Sequence, residues 1–197
     1  GTPLIFGNAN APIDFNSGLF LQGAPEMCLM TGALADMGRY YNLPNEATGI
    51  HSDAKEIGSH SVMEKVSTCL PLVMGGVDVI SGLGEFDTSM TLSFEQIIVD
   101  HEIAKVCKRI KEGVEISPEK SLFEDIAKVG PGGHFLKTKA VRAASRNKEF
   151  WRPEVLERSS YDSWIKLEQP DLYSRAHERV KQILKSEPKN PLPNDTL

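Results

Sequence analysis

No stretch of this 197-residue chain stays apolar for the ~18 to 20 residues that a membrane-spanning helix requires. The opening residues lack a signal-peptide pattern, so a cytoplasmic protein without a membrane partner is the expectation. Basic residues do not cluster either. The net charge is −5, and the nearest approach to a basic patch, Lys137 to Arg146, is interleaved with apolar residues as on a solvated helix face. Phosphate neutralisation needs a clustered basic surface, which argues against nucleic acid as a partner. Cysteine is scarce. The three thiols, Cys28, Cys69 and Cys107, are widely spaced within apolar helical patterns, as buried reduced side chains would be. None has His or Cys at zinc-binding spacing, so no metal site is expected. An initiating methionine is missing as well: Gly1-Thr2-Pro3 leads at once into an apolar segment, which suggests a fragment, a processed product or a trimmed chain.

With 40% hydrophobic and 25% charged residues, the chain suffices for one domain with a sizeable core. Short apolar segments alternate with longer amphipathic ones. Leu4-Ile5-Phe6 reads as a strand closed by Gly7-Asn8. Ala24-Pro25-Glu26 opens a helix to about Tyr41, with proline and an acid suited to the first turn. A second strand covers Ala47 to His51. Ser61 and Glu64 have capping-box spacing and start a helix that runs to Met74 and ends at Gly75-Gly76. A third strand covers Val77 to Ser81, and Ser93 with Gln96 repeats the capping spacing at the start of a helix to about Lys111. Three strand–helix units in a row argue for parallel strands with right-handed crossovers.

After Gly113 the pattern is helical alone. One helix runs from Ser117-Pro118-Glu119 to near Val129, Gly130-Pro131-Gly132-Gly133 breaks the chain, and a long polar helix covers about Pro170 to Ser186. The expected organisation is α/β: βα units over 1–113, a helical extension packed on them over 114–187, and an extended or disordered tail over 188–197. Three strands cannot close a barrel that takes eight strands and ~250 residues. The units form either a small open sheet or the last part of a longer barrel.

Six elements now stand in order: Gln22-Gly23-Ala24-Pro25-Glu26, Arg39-Tyr40-Tyr41-Asn42-Leu43-Pro44, Ser52-Asp53-Ala54-Lys55, Ser93-Phe94-Glu95-Gln96-Ile97-Ile98-Val99-Asp100, Gly130-Pro131-Gly132-Gly133-His134-Phe135-Leu136 and Phe150-Trp151-Arg152-Pro153. Together they resemble the C-terminal portion of the trimethylamine methyltransferase family, the corrinoid-dependent methylamine and glycine betaine methyltransferases. The resemblance implies the C-terminal part of a (β/α)8 TIM-type barrel, about three parallel βα units, followed by a helical C-terminal extension. It also implies a cavity for a methylated amine and a separate corrinoid protein that presents cobalamin-type cobalt at the barrel mouth. Ser81-Gly82 stands where many members without pyrrolysine carry a His pair, and there the methylamine and glycine betaine branches diverge. A partial barrel exposes sheet edges and an apolar inner face, so self-association as a homo-oligomer is expected.

In β/α barrels the reacting groups lie at the C-terminal ends of strands and in the loops that follow, here Gly7 to Asp14, His51 to Lys55 and Ser81 to Asp87. Methyl transfer from an amine needs a positive nitrogen as leaving group. The pocket should offer carboxylates and aromatic faces to that cation and hold it for in-line displacement. The catalytic candidates are Asp53, Lys55 and Glu85. Asp53 and Lys55 read either as an ion pair that positions substrate or as a structural pair that holds the loop. The substrate-binding candidates are Asn8, His51, Ser81, Asp87 and Glu95. His51 is a proton relay or a packed histidine, Glu85 and Asp87 face the ammonium or are solvated loop acids, and Glu95 is favoured by the helix dipole alone. His134 is the candidate corrinoid contact. Its glycine-rich segment lacks the Gly-Lys-Ser/Thr ending of a phosphate loop, and a tight interhelical turn is the alternative. Three functions follow: methyl transfer from a trimethylamine-like donor to corrinoid cobalt, the same chemistry on glycine betaine or another quaternary amine, or a non-catalytic product serving assembly or corrinoid-protein docking.

Overall fold

The computed structural model describes residues 2–146 and 150–187. The stretch 188–197, expected to be an extended tail, lies outside the described residues. The chain forms two compact units, one comprising residues up to Lys111 together with those from Val155 onward, the other Glu112–Glu154. Residues 155–187, which the sequence pattern grouped with the helical extension, thus belong with the βα units.

In the first unit, β1 (Phe6–Asn8), β2 (Asn45–Thr48) and β3 (Val79–Ser81) form a parallel sheet in the order β1-β2-β3. Helices α1 (Pro25–Tyr40), α2 (Ser59–Met74) and α3 (Phe94–Glu112) follow the three strands in turn. This mixed α/β architecture is compatible with part of a TIM-type fold. The strands are shorter than their apolar patterns. Leu4 and Ile5 are exposed, and β1 consists of Phe6 and the two residues expected to close it, because Gly7 and Asn8 pair with Glu46 and Ala47. β2 starts earlier than expected, at Asn45, whose main-chain N–H and side-chain Nδ2 both donate to Asp78 at 2.9 and 3.0 Å. β2 also ends at Thr48, before His51.

Alternation along β2 sets the two faces of the sheet. Asn45 and Ala47 are buried on the side where α1 and α2 pack, with Ala47, Cys28, Ala35, Leu72 and Val77 in one apolar cluster. Glu46 and Thr48 face the opposite way, alongside Val79 and Ser81 of β3. This second face, which a partial barrel would turn inward and which was expected to be apolar, is therefore largely polar.

Helix α2 starts two residues before the expected cap. Ser61 sits inside the first turn, where its hydroxyl accepts the Gly58 N–H (3.1 Å) and donates to the Gly58 carbonyl (3.0 Å). Glu64 is free to reach elsewhere. Ser93 does cap α3, accepting the Gln96 N–H at 3.3 Å. An unforeseen hairpin, β4 (Glu85–Phe86) and β5 (Thr91–Leu92), lies between β3 and α3.

Lys65 of α2 and Asp100 of α3 are both fully buried. The ammonium donates to Asp100 Oδ2 (2.7 Å), the Ile50 carbonyl (2.8 Å) and the Glu85 carbonyl (2.6 Å). Asp100 accepts in addition the Gly84 N–H and Gln96 Nε2, each at 2.6 Å. Gln96 Oε1 accepts from Tyr173 at 3.0 Å, which ties in helix α7 (Leu172–Lys185). Burial pulls the Lys65 pKa down and pushes that of Asp100 up, and their mutual attraction opposes both shifts. Around this pair Ile50, Cys69, Val99, Ile103, Cys107 and Ala176 form the second core cluster. Glu102 Oε1 accepts the N–H groups of Val155 (3.0 Å) and Leu156 (3.3 Å), anchoring the returning chain; the short helix α6 (Tyr161–Lys166) precedes α7.

Among its described residues the second unit holds two short helices, α4 (Phe123–Val129) and α5 (Lys139–Ala144), and two single 3-10 turns. Gly130 and Gly132 take left-handed φ angles between them, so the glycine segment is the interhelical turn. None of the described residues of this unit is fully buried. No helix of the described residues is long and apolar enough to cross a membrane.

Removing one partner of a buried ion pair leaves the other uncompensated. Lys65→Met is expected to lower unfolding free energy by about 3–5 kcal/mol, measured by urea denaturation. A loss below about 1 kcal/mol would contradict the role given to this pair.

Candidate functional site

The loops after β1, β2 and β3 converge at one end of the sheet. The tip of the β4–β5 hairpin is the strained element among them: Asp87, Thr88 and Ser89 have consecutive φ angles of 53°, 54° and 62°. Left-handed backbone is unfavourable for a β-branched residue such as Thr88, so the surroundings must hold it. They do. The Asp87 N–H donates to the Ala54 carbonyl (2.9 Å) and the Thr88 N–H to the Ser52 carbonyl (3.2 Å), while the Thr88 hydroxyl donates to Asp53 Oδ1 (3.1 Å).

Asp53 is fully engaged. Its carboxylate accepts the N–H groups of Gln22 and Gly23, both at 2.9 Å, besides Thr88. Its own N–H donates to Glu64 Oε2 (2.9 Å), which also accepts from Ser52 (2.7 Å). Asp53 therefore joins all three loops, and it does not pair with Lys55. The Lys55 ammonium bonds Asp87 instead. This corrects the expected pairing: two residues apart in an irregular loop, the side chains of Asp53 and Lys55 point to different neighbours.

His51 is buried at the centre. Its Nδ1 lies 3.2 Å from the Ser89 hydroxyl and 3.6 Å from Glu85 Oε2. The Ser89 hydroxyl donates its one proton to Gln22 Oε1 at 2.7 Å, so its oxygen accepts from His51 Nδ1. That makes Nδ1 the protonated nitrogen. Among the described residues Nε2 has no hydrogen-bond partner and is left as a buried lone pair. Burial holds the imidazole pKa below its ordinary value, with Glu85 opposing the shift. The ring fits because residue 82 is glycine: a Cβ there, at φ +98°, would sit 2.2 Å from Nε2.

The remaining candidates divide. Ser81, at the end of β3, donates to the carboxylate of Glu46, a residue the sequence pattern did not single out. Asn8 is buried; its Nδ2 donates to the Glu46 carbonyl at 3.3 Å and its Oδ1 has no partner among the described residues. Glu95 lies apart from these loops in its contacts. It bonds His177 of α7 (2.8 Å) and Ser93 (2.7 Å), which lower its pKa to about 2. His134 is exposed in the second unit. Phe20, Gln22, Met27, Thr48 and His51 line a small recess beneath the loops. Lys65, Asp100 and Gln96 carry the strand ends from behind, yet only a fold could reveal them, since Lys65 reads in sequence as an ordinary exposed helix residue. Among the described residues no cluster of His, Cys, Asp and Glu is arranged to hold a metal ion.

A parallel sheet with its polar groups gathered at the C-terminal strand ends is the layout of a β/α enzyme site. The model of the trimethylamine methyltransferase family matches residues 1–197, and the chain belongs to that family. Among its relatives, a glycine betaine methyltransferase of Desulfitobacterium hafniense is 36% identical over 93% of this chain and 38% of its own length. Trimethylamine methyltransferases of Methanosarcina mazei and Methanosarcina thermophila are each 32% identical over all of this chain, and over 39% and 40% of their own lengths respectively. The chain thus spans about two fifths of these relatives.

Gly82→Ala is expected to expel the His51 ring. In a double-mutant cycle with His51→Ala, the two sites should couple by about 1–3 kcal/mol of stability, and additive effects would refute the close fit. Acid should weaken the same contact. A histidine whose folded pKa is depressed contributes stability that is present above the unfolded value of 6.5 and is lost as pH falls from there towards the folded value. Thermal denaturation between pH 7.5 and 5 should show this decline, and His51→Gln should flatten it.

Proposed function

We propose that the chain is part of a (β/α)8-barrel enzyme that moves a methyl group from trimethylamine to the cobalt of a corrinoid carried by a separate protein. The observation that supports trimethylamine as donor is the charge of the converging strands and loops. Glu46, Asp53, Glu85 and Asp87 stand there, while Lys55 is matched by Asp87 and Lys65 by Asp100. A field of this sign attracts a small cation and opposes a substrate that brings its own carboxylate, as glycine betaine does.

Cleavage of a carbon–nitrogen bond is easiest when nitrogen departs as a neutral amine, which requires a cationic nitrogen beforehand. The acidic groups favour that cation, and the loops clamped by Asp53 give it a fixed orientation for in-line displacement. The corrinoid, a second substrate on its carrier, supplies the nucleophile. The exposed His134 is the proposed contact for the corrinoid. Glycine betaine is the second reading, favoured by the 36% identity to a glycine betaine methyltransferase.

The test incubates the intact gene product with reduced corrinoid protein and each amine, following methyl-cobalt formation by absorbance. Methylation from trimethylamine but not glycine betaine is the expected result. Methylation from glycine betaine alone would reverse the substrate assignment, and none from any methylated amine would overturn the methyltransferase reading.

A further inference from the structure

We infer that Glu46 takes the substrate nitrogen through a hydrogen bond from an ammonium N–H to its Oε2. The inference rests on the amine reading above and adds a hydrogen count: the preferred substrate is a tertiary ammonium carrying one N–H, not a quaternary one carrying none.

Glu46 occupies the central strand, on the face away from the packed helices. In register it stands opposite Gly7 on one side and Val79 on the other, while the Ser81 hydroxyl that donates to Oε1 lies two residues further along β3. The carboxylate is thus drawn towards the C-terminal strand ends, where the loops converge. Gly7 leaves Oε2 clear: a Cβ at that position would lie 3.3 Å from this oxygen. The side chain is half-buried, and among the described residues no hydrogen bond or ion pair reaches Oε2.

The neighbouring acids are differently placed. Asp53 accepts three hydrogen bonds from the loops, Asp87 is bound to Lys55, and Glu85 stands on the hairpin beside His51. Glu46 is the carboxylate on the sheet face itself with an oxygen to offer. Ser81 fixes its rotamer by bonding the other oxygen, so Oε2 presents a lone pair in a set direction. An ammonium N–H makes a short, charge-assisted bond to such an oxygen. A quaternary nitrogen is shielded by four carbons and offers no donor, so it gains only the longer-range attraction. The discrimination follows from a polar group left unpaired, which is the strong form of selectivity.

The test is an NMR titration of the intact gene product with trimethylammonium and with tetramethylammonium. Wild type should bind the tertiary ion at least about tenfold more tightly. Glu46→Gln should abolish that preference, and Glu46→Asp, which keeps the charge on a shorter arm, should retain part of it. Ser81→Ala removes the bond that fixes the Glu46 rotamer but keeps the acceptor, so it should weaken the preference without abolishing it, which separates loss of the acceptor from general damage to the sheet. Circular dichroism establishes that each variant is folded. An unchanged preference in Glu46→Gln, or an equal loss in Ser81→Ala, would overturn the assignment to Glu46 alone. Failure of wild type to bind either cation would overturn the amine reading beneath it.

Discussion

The ammonium of Lys65 satisfies three acceptors at once, and two of them are main-chain carbonyls on different segments, Ile50 after β2 and Glu85 in the hairpin after β3. A charge enclosed by protein is costly unless every proton is matched, and here every one is. Asp100 completes the arrangement from α3 by accepting the Gly84 N–H. Two crossover helices are therefore joined through one ion pair to the two loops that build most of the site. Without it the strand ends would have unmet carbonyls and no fixed separation.

On this base stands a site whose groups mostly hold one another. Asp53 gathers the loop before α1, its own loop and the hairpin tip, while Glu64 supports it from α2. Such supporting hydrogen bonds fix the groups that contact a ligand more firmly than loop backbone could alone. Among the described residues of the site, spare capacity lies with the lone pair of His51 Nε2, the Oδ1 of Asn8 and the carboxylates of Glu46 and Glu85. Function is best sought in unsatisfied groups, because a fully bonded one has little left to offer a substrate.

The order of strands and helices was legible because capping residues, proline and glycine punctuate the chain and the apolar patterns run between them. Pro25 and Ser93 mark helix starts where they were expected. Strand limits were less legible, since the apolar Leu4 and Ile5 lie outside the sheet while polar Asn45, Glu46 and Asn8 lie within it. Apolarity reports burial, whereas strand membership is decided by main-chain pairing. That the three strand-end loops meet in space was legible. Their internal pairings were not, because the link between Lys55 and Asp87 spans 32 residues and depends on a hairpin no local pattern announced. Glu46 escaped notice for the same reason: a carboxylate inside a strand reads as an irregularity until the opposite face of the sheet is seen to be polar.

The left-handed run at Asp87, Thr88 and Ser89 also bears on how the site comes into being. Its conformation exists only while Ser52, Asp53 and Ala54 grip it. Released, the turn would relax into ordinary backbone, withdrawing Asp87 from Lys55 and Ser89 from His51 in one movement. These hydrogen bonds tie the loop after β2 to the loop after β3, so the order of one depends on the order of the other. Small losses of stability in either loop therefore bear on both, because the turn holds them to the same partners.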